Sequence, residues 1–170
     1  GDALHLLAER VEGNLLAAAQ EVDKLALLAN GGRVTVDTVI ESVSQNARYS
    51  PFELADAALR GDLKTGIRVL HGLRDEGAEP TVVLWALSKD VRALHQLRGD
   101  CDRGESPQRA MAARRVWKSR VPLMQSAHDR HDADSLRAIL ARATAVDGSI
   151  KGYGPGRPWD KLGELLTALC

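Results

Sequence analysis

Residues 80–94, PTVVLWALSKDVRAL, carry the clearest pattern in the chain and predict an amphipathic α-helix. The apolar positions Leu84, Leu87, Val91 and Leu94 recur at steps of three and four residues, so they share one face of a helix. Pro80 suits the first helical turn, where an amide would have no intrahelical partner. Such a helix buries one stripe and requires other helices to pack against it.

The flanking sequence predicts those helices from their start signals. Ser50-Pro51 and Ser106-Pro107 each place a capping residue before a proline, and Glu53 completes a capping box with Ser50. Asp62 and Asp132 are further caps. Helices are also expected after Asn14, after Thr35, from about Ser119 and from Pro158, with loops over residues 99–105 and 151–157.

Apolar residues repeat at helical spacing within most of these segments. Leu and Ala dominate the repeats, aromatic residues make up 4% of the chain, and β-branched runs are short. We therefore predict an all-α fold. The expected apolar positions are Leu15, Ala18, Val22 and Leu25; Val36, Val39, Ile40 and Val43; Leu63, Ile67 and Leu70; Leu136, Ile139, Ala143, Val146 and Ile150; and Trp159, Leu162, Leu165, Leu166 and Leu169.

The polar stretch that precedes Ser50 divides the chain. We expect a small helical piece over residues 1–45, a linker over 46–49 and a larger helical bundle over 50–170. The chain begins without Met and enters a helical pattern at once, so we expect it to be part of a longer protein.

Charge and cysteine content limit the possible classes of protein. Lys plus Arg and Asp plus Glu balance at 23 each, so any nucleic-acid partner would need a local basic patch. Cys101 and Cys170 are far apart and lack a metal-binding spacing, which favours a reducing cytoplasm. No apolar run approaches the roughly 20 residues that span a bilayer.

Motifs for catalysis are missing. Gly152-Tyr153-Gly154-Pro155-Gly156 follows a helix and lacks the Lys-Ser/Thr ending of a phosphate-binding loop, so a helix–helix turn is favoured. His128 and His131 are spaced for a metal but lie at a helix boundary without a third ligand nearby. We predict no catalytic residue, no cofactor and no metal.

One basic segment suits contact with nucleic acid. Trp117 lies among Arg103, Arg109, Arg114, Arg115, Lys118 and Arg120, against the single acid Glu105. Cationic side chains bind phosphates and an aromatic ring stacks on bases. Alternatively, Trp117 packs in the core and the basic residues form a solvated face.

Tyr153 is a second candidate for nucleic-acid contact. Glycines flank it, so neighbouring side chains do not hold its ring, and Lys151 and Arg157 place positive charge on either side. The ring could stack on a nucleic-acid end, or it could fold back onto the bundle.

Several of these segments, in their order, are similar to the delta family of the bacterial DNA polymerase III clamp loader. The resemblance covers essentially the whole chain and rests on the stretch EGNLLAAAQ at 12–20 with Lys24-Leu25, Val34-Thr35-Val36, Phe52, Asp56-Ala57-Ala58-Leu59, residues 73–77, Glu79-Pro80, Val116-Trp117, Ile150-Lys151-Gly152 and Trp159.

The resemblance implies a partial AAA+ lid domain followed by a complete collar domain. In this family the collars of five subunits form a ring, the delta subunit hydrolyses no ATP, and a preceding domain, missing here, contacts the sliding clamp. The implied partners are the delta-prime and tau/gamma subunits and, weakly, primer–template DNA, in the cytoplasm at the nucleoid and with no membrane. The parent complex would be the DNA polymerase III holoenzyme.

The resemblance also implies that Tyr153 meets the DNA end and that Trp117 is a second contact. We expect Lys151, Arg115 and Lys118 to support them. The competing hypotheses are a free-standing helical nucleic-acid-binding domain and, with no motif in its favour, a small helical enzyme.

Overall fold

The computed structural model describes residues 15–29, 32–35, 38 and 49–170. The chain divides into two compact units, residues 1–48 and 49–170. Every regular element in the described residues is a helix, which confirms the predicted all-α class. None of the described helices combines the length and the apolar character needed to cross a bilayer.

The first unit contains helix α1, Leu15–Ala29. Leu25 is buried as predicted, but Val22 is 52% exposed, so its assignment to a buried stripe is wrong. Beyond α1, the Thr35 hydroxyl accepts a hydrogen bond from the Thr38 amide at 3.3 Å, which confirms the predicted cap. Other predictions for this unit lie outside the described residues or side chains, namely Asn14, Leu15, Ala18, Val36, Val39, Ile40 and Val43.

The second unit is a bundle of helices joined by short turns. Four helices begin at a proline, as such positions allow. The bounds are α2 Pro51–Arg60, α3 Leu63–Asp75, α4 Pro80–Asp102, α5 Pro107–Ala113, α6 Val121–Arg130, α7 Ala133–Ile150 and α8 Pro158–Leu169.

The predicted caps form in this unit. Asp62 accepts from the Thr65 amide at 3.0 Å and Asp132 from the Ser135 amide at 2.8 Å. The Ser50 hydroxyl accepts from the Phe52 amide at 3.2 Å, one residue earlier in the turn than a capping box requires. The start signals therefore predicted the first residues of these helices to within two residues.

Helix α4 is the centre of the bundle, because α2, α5, α6, α7 and α8 all pack on it. Its predicted face is buried at Leu84, Leu87, Val91 and Leu94. The predicted faces of α7 and α8 join the same core through Leu136, Ile139, Ala143, Val146, Leu162, Leu165, Leu166 and Leu169. Ile150 and Trp159 are partly buried at its edge.

The predicted loop over residues 99–105 begins too early, because α4 continues to Asp102. Gly99 costs a helix interior only about 1 kcal/mol. Within this last turn the Asp100 carboxylate is bound by Arg103, three residues on, and by Arg114. The partner Arg114 is not visible in the local sequence.

Arg130 joins the ends of two helices. One of its terminal nitrogens donates to the carbonyls of Ala58, Leu59 and Leu169 at 3.0, 3.1 and 3.1 Å. These carbonyls lie in the last turns of α2 and α8, where helix carbonyls run out of intrahelical partners, and the Ala58 carbonyl also accepts from the Gly61 amide at 3.0 Å. A cation there also suits the negative end of each helix dipole.

Candidate nucleic-acid interface

The chain between α5 and α6 makes a Schellman turn. The Arg115 amide bonds the Ala112 carbonyl and the Val116 amide bonds the Met111 carbonyl, each at 3.0 Å. Arg115 takes a φ of 55°, the left-handed conformation in which glycine is usual. Val116 then packs against the core from the outer side of the turn.

Trp117 follows this turn and points into solvent. Its side chain is 75% exposed, so the alternative in which it packs in the core is wrong. Its backbone is nevertheless fixed, since its carbonyl accepts from the amides of Arg120 and Val121 at 2.8 and 3.1 Å. An exposed indole on a fixed backbone can stack on a base with little loss of conformational entropy.

Two arginines of the basic segment serve the fold. Arg120 binds the carboxylates of Asp90 and Asp56 at 2.7 and 2.9 Å, and Asp90 is buried. Burial alone would lower the pKa of Arg120, but the bonds and charge of Asp90 and Asp56 outweigh it and raise that pKa. Arg114 binds Asp100 and the Gln96 amide oxygen, at 2.5 and 2.7 Å.

Two of the remaining cations, Arg115 and Lys118, lie within two residues of Trp117 in the chain. Arg109, Arg115 and Lys118 are exposed, and no ion pair joins them to another described residue. The segment therefore presents a small positive surface around one indole. We call Arg115, Trp117 and Lys118 the tryptophan turn.

The loop between α7 and α8 is compact. The Tyr153 and Gly154 amides both bond the Gly148 carbonyl, at 3.1 and 2.8 Å, and the Ser149 hydroxyl bonds the Gly156 carbonyl at 2.7 Å. A Cβ on Gly154 would lie 2.8 Å from the backbone of Gly148 and Ser149. Glycine at 154 thus permits this close approach.

Tyr153 lies against the end of α7 on one side and faces solvent on the other. A Cβ on Gly148 would lie 3.0 Å from the ring, and the phenol donates to Asp147 at 3.3 Å. Its side chain is still 73% exposed. The ring therefore folds back onto the end of α7, as one of the two alternatives expected, and one of its faces stays open to solvent.

Lys151 shares the partner of Tyr153. Its ammonium group lies 2.8 Å from the same Asp147 oxygen, which offsets a negative charge that would repel phosphate. Asp147 was missed in the sequence, although its spacing of four residues from Lys151 could have indicated the pair. The left-handed conformation of Arg115 could not be predicted from the sequence, because no glycine marks that turn.

The candidate residues thus form two groups on two loops of the second unit. Lys151 and Tyr153 meet at Asp147, whereas Arg115, Trp117 and Lys118 follow one another in the tryptophan turn. Each group has an exposed aromatic ring, on which bases can stack. The tryptophan turn adds cations that form no ion pair with another described residue, whereas the charge of Lys151 is balanced by Asp147.

The histidines at the boundary of α6 and α7 serve the fold. His131 Nε2 donates to the Leu169 carbonyl at 2.9 Å, and Nδ1 lies 2.9 Å from the Ser135 hydroxyl. His128 Nδ1 lies 3.3 Å from Asp129. Within the described residues, no group of three or more His, Cys, Asp or Glu side chains could hold a metal.

Comparison with known proteins places these features in context. Residues 51–170 match the family described as processivity clamp loader gamma complex DNA pol III C-term. The chain is 34% identical over 161 residues to DNA polymerase III subunit delta of Escherichia coli K12, covering 94% of this chain and 46% of that protein. It is 27% identical over 177 residues to the Haemophilus influenzae subunit delta, covering 99% and 52%.

A solved structure has a similar fold. The Bacillus subtilis DNA clamp loader delta protein matches 99% of this chain and 50% of its own chain with a TM-score of 0.56 at 22% identity. The chain spans about half the length of the curated relatives that it matches.

Proposed function

This chain belongs to the delta family of the DNA polymerase III clamp loader, and from that membership we propose that it is a non-catalytic assembly module. Its second unit would hold the delta subunit in a ring of collar domains while the sliding clamp is loaded onto primed DNA. The observation that carries the proposal is the family match, which spans residues 51–170 and thus almost the whole bundle. The first unit would be the end of an AAA+ lid domain.

The proposed partners are the delta-prime and tau/gamma subunits, which would meet this bundle through helical surfaces in the bacterial cytoplasm. Contact with the sliding clamp would belong to a domain outside this chain, because the relatives are about twice as long. Stable assemblies of this type need a standard interface of roughly 1,600 Å² or more in total.

Reconstitution tests the assembly role. The chain should elute with purified delta-prime and tau/gamma subunits in size-exclusion chromatography at micromolar concentration. Separate elution of all components would contradict the proposal.

We also propose that Tyr153, Trp117, Lys151, Arg115 and Lys118 contact the primer–template junction in the assembled loader. Support comes from the open face of Tyr153 and the exposed indole of Trp117. The cations beside them would neutralise phosphates, and the rings would stack on the unpaired end of the duplex.

Substitutions separate stacking from the tether to Asp147. Tyr153→Ala should weaken binding of primer–template DNA to the assembled loader by about 1–3 kcal/mol, the value of one stacked base. Tyr153→Phe keeps the ring and loses only the hydroxyl, so it should bind nearly as the wild type does. Fluorescence anisotropy measures the DNA affinity of both variants. An unchanged affinity of Tyr153→Ala would contradict the proposed stacking of this ring on DNA.

The tryptophan turn has its own test and also favours a second candidate function, a free-standing nucleic-acid-binding domain. Lys118→Ala should lower DNA affinity and its salt dependence, whereas Arg142→Ala, a matched exposed cation on α7, should leave both unchanged. Tight, salt-sensitive binding by the isolated chain without partners would favour the second function. Affinity that appears only in the assembly favours the first.

A further inference from the structure

One side of α4 carries a tryptophan and two cations in succession. Trp85, Lys89 and Arg92 are spaced by four and three residues, so they are neighbours on one face of the helix. The Lys89 ammonium group lies 5.0 Å from the centre of the Trp85 ring, in a cation–π contact. Arg92 is exposed, and no ion pair joins it to another described residue. We call these three residues the α4 strip.

The tryptophan turn adjoins the α4 strip, because the arginines before and after the turn are both anchored to α4. Arg114 donates to the Gln96 amide oxygen at 2.7 Å, and Arg120 binds the Asp90 carboxylate at 2.7 Å. These two anchor points are about 9 Å apart along the helix axis and lie on either side of Arg92 in the chain. The tryptophan turn and the α4 strip therefore share one stretch of surface.

This stretch of surface carries a net positive charge. Three carboxylates on this side of α4 are neutralised by arginines, since Arg120 binds Asp90 and Asp56 and another arginine binds Asp100. Glu53, three residues before Asp56 on α2, is exposed and adds a negative charge. The cations that outnumber it are Lys89, Arg92, Arg115 and Lys118.

A second basic helix face, on α3, differs in its charge balance. Asp75 and Glu76 are exposed at the end of that helix. Ile67, which was expected to be buried, is 40% exposed among the cations, and its side chain offers no flat ring to a base. The charge of this face is thus more nearly balanced than that of the α4 side, because its exposed cations are Lys64, Arg68 and Arg74.

We propose that the α4 strip binds the phosphates of a single-stranded DNA segment whose bases stack on Trp117. The exposed indole selects unpaired bases, since the bases inside a duplex already stack on one another. Lys89 and Arg92 lie beside the turn that carries the indole, so the backbone of the same strand would pass along them. The inference rests on the proposed function, because the strand would be the single-stranded part of the primer–template junction.

Removing cations tests the proposal through salt dependence. Each phosphate contact on a single strand contributes about 0.7 to the slope of log affinity against log salt concentration. In a loader assembled with the full-length delta subunit, Arg92→Ala should lower the affinity for a primer–template with a single-stranded overhang by about two- to fivefold. It should also make the slope shallower by about 0.7, and adding Lys89→Gln should double that change. Fluorescence anisotropy between about 50 and 200 mM salt measures both quantities.

The matched control is Arg68→Ala, which removes an exposed cation from α3 and should change neither quantity. Circular dichroism melting checks that the variants fold. If Arg92→Ala binds as the wild type does, or if Arg68→Ala loses as much affinity, the inference is overturned while weaker binding by Lys118→Ala keeps the proposed function. If Lys118→Ala and Tyr153→Ala are also without effect, the DNA contact of the proposed function fails and the inference with it.

Other partners of the α4 strip give different results. Arg92→Ala should leave the affinity for a blunt duplex of the same length unchanged, so an equal loss there would assign the strip to duplex DNA. Weaker co-elution of Arg92→Ala with the delta-prime and tau/gamma subunits, at unchanged DNA affinity, would assign it to an acidic protein segment. Either result would overturn the proposal.

Discussion

Arg115 holds the left-handed conformation at the end of α5, and it is the one non-glycine residue with positive φ among the described residues. The conformation costs an L-residue roughly 1–2 kcal/mol. Arg115→Gly should remove that cost and, after the greater chain entropy of glycine is subtracted, stabilise the protein by about 0.5–1 kcal/mol. Urea denaturation followed by circular dichroism measures the change.

The matched control is Arg115→Ala, which removes the charge but keeps the strain. It should leave stability nearly unchanged. If both variants behave alike, backbone strain at Arg115 is not the cause. If Arg115→Gly also weakens DNA binding by the loader, the arginine occupies a strained position for its charge.

Asp90 is the buried half of the ion pair with Arg120. Its side chain is 6% exposed, against 35% for Asp56. Removing one partner of a buried pair leaves an uncompensated charge, so Asp90→Asn should destabilise by about 3 kcal/mol. Asp56→Asn should cost clearly less, and equal losses in urea denaturation would show that burial is not what distinguishes the two aspartates.

At the scale of elements, helix starts and faces followed from the sequence because their causes are local. Ser50, Asp62, Ser106 and Asp132 cap the helices they were expected to cap. Amphipathic spacing identified the buried faces of α4, α7 and α8 for the same reason. The contact of Arg114 with Asp100, in the part of α4 that extends to Asp102, joins residues 14 apart in sequence and could not be anticipated.

The candidate site was predictable in residue type but not in geometry. Trp117 and Tyr153 stood out as aromatic residues among cations or glycines. The packing of the Tyr153 ring on Gly148 required the close approach of Gly154 to α7, and the role of Arg120 in the fold required Asp90 and Asp56. Both are tertiary contacts that no local pattern indicates.

The central position of α4 predicts that truncating a buried side chain of this helix destabilises the whole bundle. Leu87 is fully buried, whereas Leu140 on α7 is only partly buried. Leu87→Ala should therefore destabilise by about 2–5 kcal/mol, through lost burial and the cavity left behind. Leu140→Ala should cost less, and thermal or urea denaturation of the two variants would contradict this ranking if their losses were equal.

One glycine contact shows how closely Tyr49 approaches helix α3. A Cβ on Gly72 in α3 would lie 2.2 Å from the Tyr49 ring, so Gly72→Ala must displace that ring. The variant should be destabilised, but much less so in a Tyr49→Ala background. A double-mutant cycle measures this coupling, and additive effects would show that the ring is not the obstacle.

For the whole molecule, acid stability follows from carboxylates that the fold keeps ionised. The hydrogen bond from Arg114 lowers the pKa of Asp100, and the bond from the Thr65 amide lowers the pKa of Asp62, each below the ordinary 3.8. Near these pKa values the unfolded chain binds more protons than the folded one. The two carboxylates therefore stabilise the fold fully above the unfolded pKa of 3.8, and this stabilisation is lost as pH falls through their lower folded pKa.

Denaturation as a function of pH checks this expectation. Stability should fall from about pH 5 downward, and Arg114→Gln should make the fall shallower because the pKa of Asp100 then returns toward its ordinary value. Arg142→Gln removes the same charge from an exposed site and should keep the wild-type slope. Equal slopes in the two variants would show that Asp100 does not contribute to the pH dependence of stability.

The bridge from Arg120 to Asp90 has a consequence for motion. Arg120 also donates its amide to the Trp117 carbonyl, so the tryptophan turn is joined to the centre of α4 through one residue. If the tryptophan turn separated from α4, the buried carboxylate of Asp90 would lose its partner and become exposed to solvent. The amides of Arg120 and Val121 should therefore exchange hydrogen almost as slowly as the core, although the indole beside them lies in water.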